Sequence, residues 1–133
     1  MAIDHIHLSQ QAKDQLIRLK RVTGLTTWNT LCRWALCVSL AEASAPPPKK
    51  IPADSNVEMS WRVFAGTDGD VYLALLQERC IRDGLPTNPD TLAGQFRLHL
   101  HRGIAHLAAN KRITGIDRLI EFALKRNHDS EPR

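Results

Sequence analysis

A chain of 133 residues, 43% of them hydrophobic, suits one domain with a real core and is too short for a cofactor domain beside a substrate domain. Lys and Arg outnumber Asp and Glu by 18 to 14 and the isoelectric point lies near 9.3, a mildly basic balance compatible with a polyanionic partner or with plain solvation. Aromatic residues make up only 5%, which disfavours single-strand binding through rows of stacked bases.

The N-terminus "MAIDHIHLSQQAKD" has no apolar core of signal-peptide length, and the longest apolar run, "WALCVSLA", falls far short of the roughly 18 residues of a membrane span. A soluble, cytoplasmic protein with no membrane partner is expected. Cys32, Cys37 and Cys80 form no C-x-x-C pair and sit in apolar helical contexts, as buried thiols of a reducing compartment do.

Ile3 to Leu8 alternate apolar and polar, and Ser9 offers an N-cap, so a short strand leads into a first helix. Leu8, Ala12, Leu16, Leu19 and Val22 form its apolar stripe, with Lys13, Lys20 and Arg21 on or near the opposite side. Thr23-Gly24 stops it, and Thr26 or Thr27 caps a second helix from about Trp28 to Glu42. The inner stripe there is Trp28, Leu31, Cys32, Ala35 and Leu36. Trp34, Cys37, Val38 and Leu40 carry the apolar surface nearly around the cylinder, which predicts an interface between subunits: a dimer at least, a tetramer if the strands also pair.

"SAPPPKKIPADS" is an extended connector. Val57, Met59, Trp61 and Val63 alternate with polar residues as an extended arm, and Asp68 or Asp70 is placed to cap a third helix with apolar positions Val71, Leu75, Leu76, Cys80 and Ile81. Asp90 or Thr91 caps a fourth, to about Ala109, and "IDRLIEFALK" forms a last amphipathic helix. The expected fold is a mainly α single domain over residues 1–126: a ribbon-helix-helix-like strand-helix-helix unit (1–44), a proline-rich connector (45–56) and an arm plus helices (57–126), followed by a disordered tail (127–133).

Catalytic constellations are weak throughout. "AGTDGD" lacks the lysine of a phosphate loop and places two carboxylates where phosphate would sit, so it reads as a turn with a helix cap. His99 and His101 are two apart and His101 and His106 five apart, neither being the i, i+4 spacing of a helical zinc pair. No serine or cysteine has an activating context. No enzyme activity, metal or cofactor is expected. The N-terminal unit instead suggests DNA contact, with amides at the "LTTWN" helix start, hydroxyls of Thr26 and Thr27, and charge from Lys13, Lys20, Arg21 and Arg33. No set of residues for reading base edges is visible, which favours sequence-tolerant phosphate contact. An ordinary helical hairpin with solvated lysines is the competing reading.

The blocks "HLSQQAKDQLIRLKRVTGLTTWNTLCRWAL" and "EMSWRVFAGTDGDVYLALLQER", in this order and separated by a short proline-bearing connector, resemble the DndE family, the small protein of bacterial DNA phosphorothioation systems. The resemblance covers about Ile6 to Leu124, and "SWRVFAG" followed by "YLALL" is its most specific piece. It implies a mostly helical, oligomeric DNA-binding or scaffold subunit with affinity for nicked duplex DNA, acting beside sulfur-transfer and ATP-using partners. Two other functions stay open: a ribbon-helix-helix regulator reading an operator through His5 and His7, and an assembly adaptor without DNA affinity of its own.

Overall fold

The computed structural model of the chain describes residues 3–130, with side chains through Leu124. Its first strand, β1 (His5–His7), runs into α1 (Gln10–Thr23) at Ser9, whose Oγ accepts from the Ala12 amide at 3.1 Å. Gly24, at φ 77°, ends α1 in the left-handed conformation, and its amide returns to the Lys20 carbonyl at 3.0 Å. Four residues later α2 (Trp28–Ala41) begins. The strand-helix-helix order is therefore present. The strand, however, does not wait for a second chain: β1 pairs antiparallel with β2 (Glu58–Ser60) of the same chain, Ile6 opposite Met59. Ile6 and Met59 thereby direct their side chains into the domain's own core.

The arm after β2 is not extended. Ser60 caps a single helical turn, α3 (Trp61–Ala65), its Oγ accepting from the Val63 amide at 3.1 Å. Helical spacing buries Trp61, Phe64 and Ala65 together and leaves Val63 exposed, whereas an extended arm would have turned Trp61 and Val63 the same way. Trp61, Phe64, Tyr72 and Phe96 form an aromatic cluster with centroid separations of 5.2 to 5.4 Å. A 3-10 turn (Gly66–Asp68) then leads into α4 (Gly69–Arg82). Asp68 stands at the N-cap of α4, yet its side chain makes no capping bond.

The longest helix, α5 (Pro89–Ala109), starts at Asn88, whose side chain accepts from the Thr91 amide at 2.9 Å, with Pro89 in the first turn. The cap is thus upstream of Asp90 and Thr91. The last helix, α6 (Ile116–Ser130), continues over the first residues of the segment expected as a tail, and residues 131–133 lie outside those described.

Helix α2 is the centre of the domain. It packs along α5 and also meets α1, α3, α4 and α6. That accounts for an apolar surface nearly all round it, because a helix covered on every side needs no polar face. Val38, expected at an interface between subunits, is 4% exposed within this chain. Trp34 and Leu40 are half-buried against the same core, and Cys37 is exposed. The α4 stripe is also rotated from its expected position. Leu76, Arg79 and Cys80 are buried, while Val71, Leu75 and Ile81 face outward.

Close approach of α2 and α5 depends on Gly103. A Cβ there would lie 1.8 Å from the Ala35 carbonyl oxygen, so only a residue without a side chain fits.

Candidate nucleic-acid interface

The α1–α2 junction collects most of the residues expected to contact DNA. Lys20, in the last turn of α1, holds its ammonium 3.9 Å above the Trp28 ring. Arg21 is exposed, as are Thr26 and Thr27. Thr27 occupies the N-cap of α2 but spends its hydroxyl on Thr30, Oγ1 to Oγ1 at 2.7 Å, instead of on a backbone amide. Asn29 caps the Thr30 amide from within the turn and donates to the Val63 carbonyl. No acidic residue stands in the first turn of α2. A helix start with exposed hydroxyls, a nearby ammonium and no carboxylate favours an anion.

The other two expected cations have different work. Arg33 is half-buried; its guanidinium donates to the Phe64 carbonyl at 3.0 Å and the Thr30 hydroxyl at 3.4 Å, tying α3 to α2. Lys13 lies seven residues before Lys20 on α1, about 10 Å along the helix, and donates to Asn56 Oδ1 at 2.6 Å.

Three arginines on α4 and α5 hold the chain between α2 and β2. Arg79 is 2% exposed. It donates to the carbonyls of Leu40, Glu42, Ala43 and Ser44 at 2.5 to 3.4 Å and pairs with Asp83 at 3.0 Å. Arg102 donates to the Ser39 hydroxyl and carbonyl and to the Ser44 carbonyl, all at 2.8 to 2.9 Å. Arg97 takes the carbonyls of His7, Ile51 and Pro52. Planar forks with several donors suit such carbonyl clusters, and those held by Arg79 and Arg102 lie at and just beyond the end of α2. Sequence reading did not assign these roles. The available signal is Arg79, which falls on the same helical face as Leu76 and Cys80, a core position for an ion.

The histidines are structural in their contacts. His99 is fully buried, with Nδ1 2.8 Å from the Ser39 hydroxyl, and its Nε2 has no partner among the described residues. Burial, aided by Arg102 and Arg79, brings its pKa down to about 4. His101 donates from Nδ1 to the Arg97 carbonyl at 2.9 Å and accepts from the Ser9 amide on Nε2 at 3.2 Å, so it is neutral; burial brings its pKa to about 4 as well. His5 and His7 both face Glu58 Oε1, at 3.1 and 3.2 Å. The bond from His5, then the charge of His7, holds the Glu58 carboxyl below its usual range. Among the described residues no group of three or more His, Cys, Asp or Glu is placed to hold a metal ion. Burial pushes the Cys32 thiol up to about 12 and raises those of Cys37 and Cys80, the opposite of activation. No described helix is long and apolar enough to cross a membrane.

Comparison with known proteins agrees with this fold. The chain is similar to DndE from Escherichia coli B7A, involved in DNA phosphorothioation modification. The two share 25% identity at a TM-score of 0.65, over 80% of this chain and 98% of that one. It is also similar to a DndE with glycine-to-lysine substitutions, involved in DNA phosphorothioation, at 25% identity and a TM-score of 0.60, over 78% of this chain and 95% of that one. No curated protein matches the sequence significantly. The family model described as DNA sulphur modification protein DndE matches residues 5–114. With its helices and its two-stranded sheet in one domain, this chain belongs to the DndE family of DNA sulphur modification proteins.

Proposed function

We propose that the chain is a non-catalytic DNA-binding subunit of a DNA phosphorothioation system, contacting duplex or nicked DNA through phosphates at the α1–α2 junction. The observation that carries this is the start of α2, where Thr26 and Thr27 are exposed, Lys20 and Arg21 stand close in sequence and no first-turn acid opposes an anion. Lys13 and Arg33 serve at the edges, after their own bonds within the chain. The non-catalytic reading draws support from raised thiols and from histidines occupied by structural contacts. Its partners are DNA, further copies of itself and the other sulfur-modification proteins of the system. An operator-reading ribbon is less favoured, because β1 takes β2 as its partner and His5 and His7 face Glu58.

Self-association, up to a tetramer, remains part of this reading, with its surface moved. Val71, Leu75 and Ile81 on α4 are 56%, 45% and 64% exposed. Burying such aliphatic side chains contributes about 1.5 to 3 kcal/mol each.

The test is a salt titration of binding to nicked and intact duplexes. Affinity should fall steeply with salt, with a log-log slope of about −0.9 for each phosphate neutralised. No binding at low salt, together with co-purification with the modification enzymes, would replace this proposal with the adaptor reading.

A further inference from the structure

Trp28 is the first residue of α2 and is half-buried against the core. The other two tryptophans stand elsewhere: Trp61 is 3% exposed inside the aromatic cluster, and Trp34 lies six residues further along α2, about 9 Å along the axis. Over the face of the Trp28 ring, at 3.9 Å from its centre, sits the Lys20 ammonium. Among the described residues Lys20 has no carboxylate partner, so the indole is what holds its charge. The pair joins the last turn of α1 to the first turn of α2 across Gly24. Arg21, Thr26 and Thr27, all exposed, belong to the same junction. A large aromatic ring therefore stands among the groups that meet phosphate in the proposed function.

A phosphate draws an ammonium more strongly than a ring does, because it offers a full charge and hydrogen-bond acceptors. Once Lys20 turns to a phosphate, the face of the indole is uncovered. A continuous duplex gives that face nothing flat to meet, since each base pair is covered by its neighbours and the grooves present only edges. A base whose stacking neighbour is missing or loosened does offer its face, and any of the four bases serves, because each has one.

We propose that Trp28 is the residue with which this junction tells interrupted duplex from continuous duplex: while Lys20 engages a phosphate, the indole stacks on a base exposed at a strand break or at a duplex end. The inference rests on the phosphate-contact reading of the junction and adds the feature of the DNA that is read. Phosphate contacts give affinity for every duplex, and Trp28 gives the difference between them. Lys20 has two roles, covering the ring in the free protein and holding phosphate in the complex.

Three probes of one sequence test this by fluorescence anisotropy at low salt: a duplex with both ends closed by ethylene-glycol linkers, the same closed duplex with a single nick, and an unnicked duplex with open ends. The wild type should bind the nicked or the open-ended probe at least about fivefold tighter than the closed one, and whichever is tighter assigns the source of the exposed base. Trp28→Leu should bring these ratios close to one while affinity for the closed probe stays within about twofold. If that variant does not fold, the emission of a Trp34→Phe protein decides, because stacking quenches an indole: at saturation an interrupted probe should quench more than the closed probe. Equal affinity of the wild type for all three probes, a preference that survives Trp28→Leu, or equal quenching would overturn the role of Trp28 and leave the phosphate contacts standing. Absence of binding to every probe would overturn the phosphate contacts, and the inference with them.

Discussion

Gly103→Ala should destabilise the domain, against the intrinsic preference of a helix for alanine. The added Cβ would lie 1.8 Å from the Ala35 carbonyl oxygen, 2.4 Å from its carbon and 3.0 Å from the Ala35 Cα. All three are backbone atoms, which cannot rotate away. Ordinary van der Waals contact begins near 3.4 Å, so α5 must retreat from α2 by more than an ångström. A radial gap of 0.5 to 1 Å already forfeits a quarter to a half of each dispersion contact. These two helices carry Leu31, Cys32, Ala35, Leu36, Phe96, Leu100, Ile104 and Leu107, all buried. Overpacking of this kind costs about 3 kcal/mol or more, and the helix propensity of alanine returns about 1, leaving a net loss of about 2 kcal/mol or more. Gly94 is the internal control. It lies on the same helix, with nothing within 4 Å of an added Cβ, so Gly94→Ala should stabilise by up to about 1 kcal/mol. Urea melts followed by circular dichroism measure both. A Gly103→Ala variant as stable as the wild type would refute the packing argument, and the Gly94 result guards against a misjudged propensity.

Arg79→Ala should lose about 3 kcal/mol or more by orphaning the carbonyls at the end of α2, and Arg79→Lys should restore little because an ammonium cannot reproduce the fork; urea denaturation of both variants checks this. His99 and His101 have folded pKa values depressed to about 4 from an unfolded value near 6.5, so the unfolded state binds more protons between these limits. Stability should therefore be fully present above about pH 6.5 and fall towards pH 4, by up to about 1.4 kcal/mol per pH unit for each histidine; melting temperatures that stay flat from pH 7 to 4.5 would contradict the burial of both rings. Replacing Lys20 and Arg21 by Ala should weaken binding to all DNA sequences alike and lower the salt slope by about 1 for each phosphate that is no longer neutralised. Electrophoretic mobility shifts across salt concentrations read both effects. Leu75→Glu with Ile81→Glu should shift the mass measured by light scattering towards the monomer, and an unchanged mass would remove α4 from the self-association surface.

Local signals in the chain reached the helices and their ends more reliably than their partners. Ser9 and Gly24 bound α1 as their chemistry requires, because a cap is satisfied by atoms three or four residues away. Val38 shows the other case: its position on α2 was visible, but whether its face met solvent, a second chain or the rest of its own chain depended on contacts far along the sequence. Trp61 is intermediate, since alternation from Val57 to Val63 reads as a strand until the Ser60 cap and the i, i+3, i+4 spacing of Trp61, Phe64 and Ala65 are weighed against it.

The candidate site was least legible where charge counts served as a guide. A count of 18 Lys and Arg treats every cation as available to a polyanion, yet Arg79, Arg97 and Arg102 are committed to backbone carbonyls, Arg18 to that of Ala108, and Arg33 to that of Phe64. Each is held where its charge orders the protein. The positive potential left for DNA is correspondingly smaller and more local than the isoelectric point suggests. It falls to exposed groups such as Arg21, and to helix starts with no acid beside them. If the chain binds DNA as proposed, assembly would matter for affinity, because one junction would offer few phosphate contacts and repeating it across copies would raise the effective concentration of the rest.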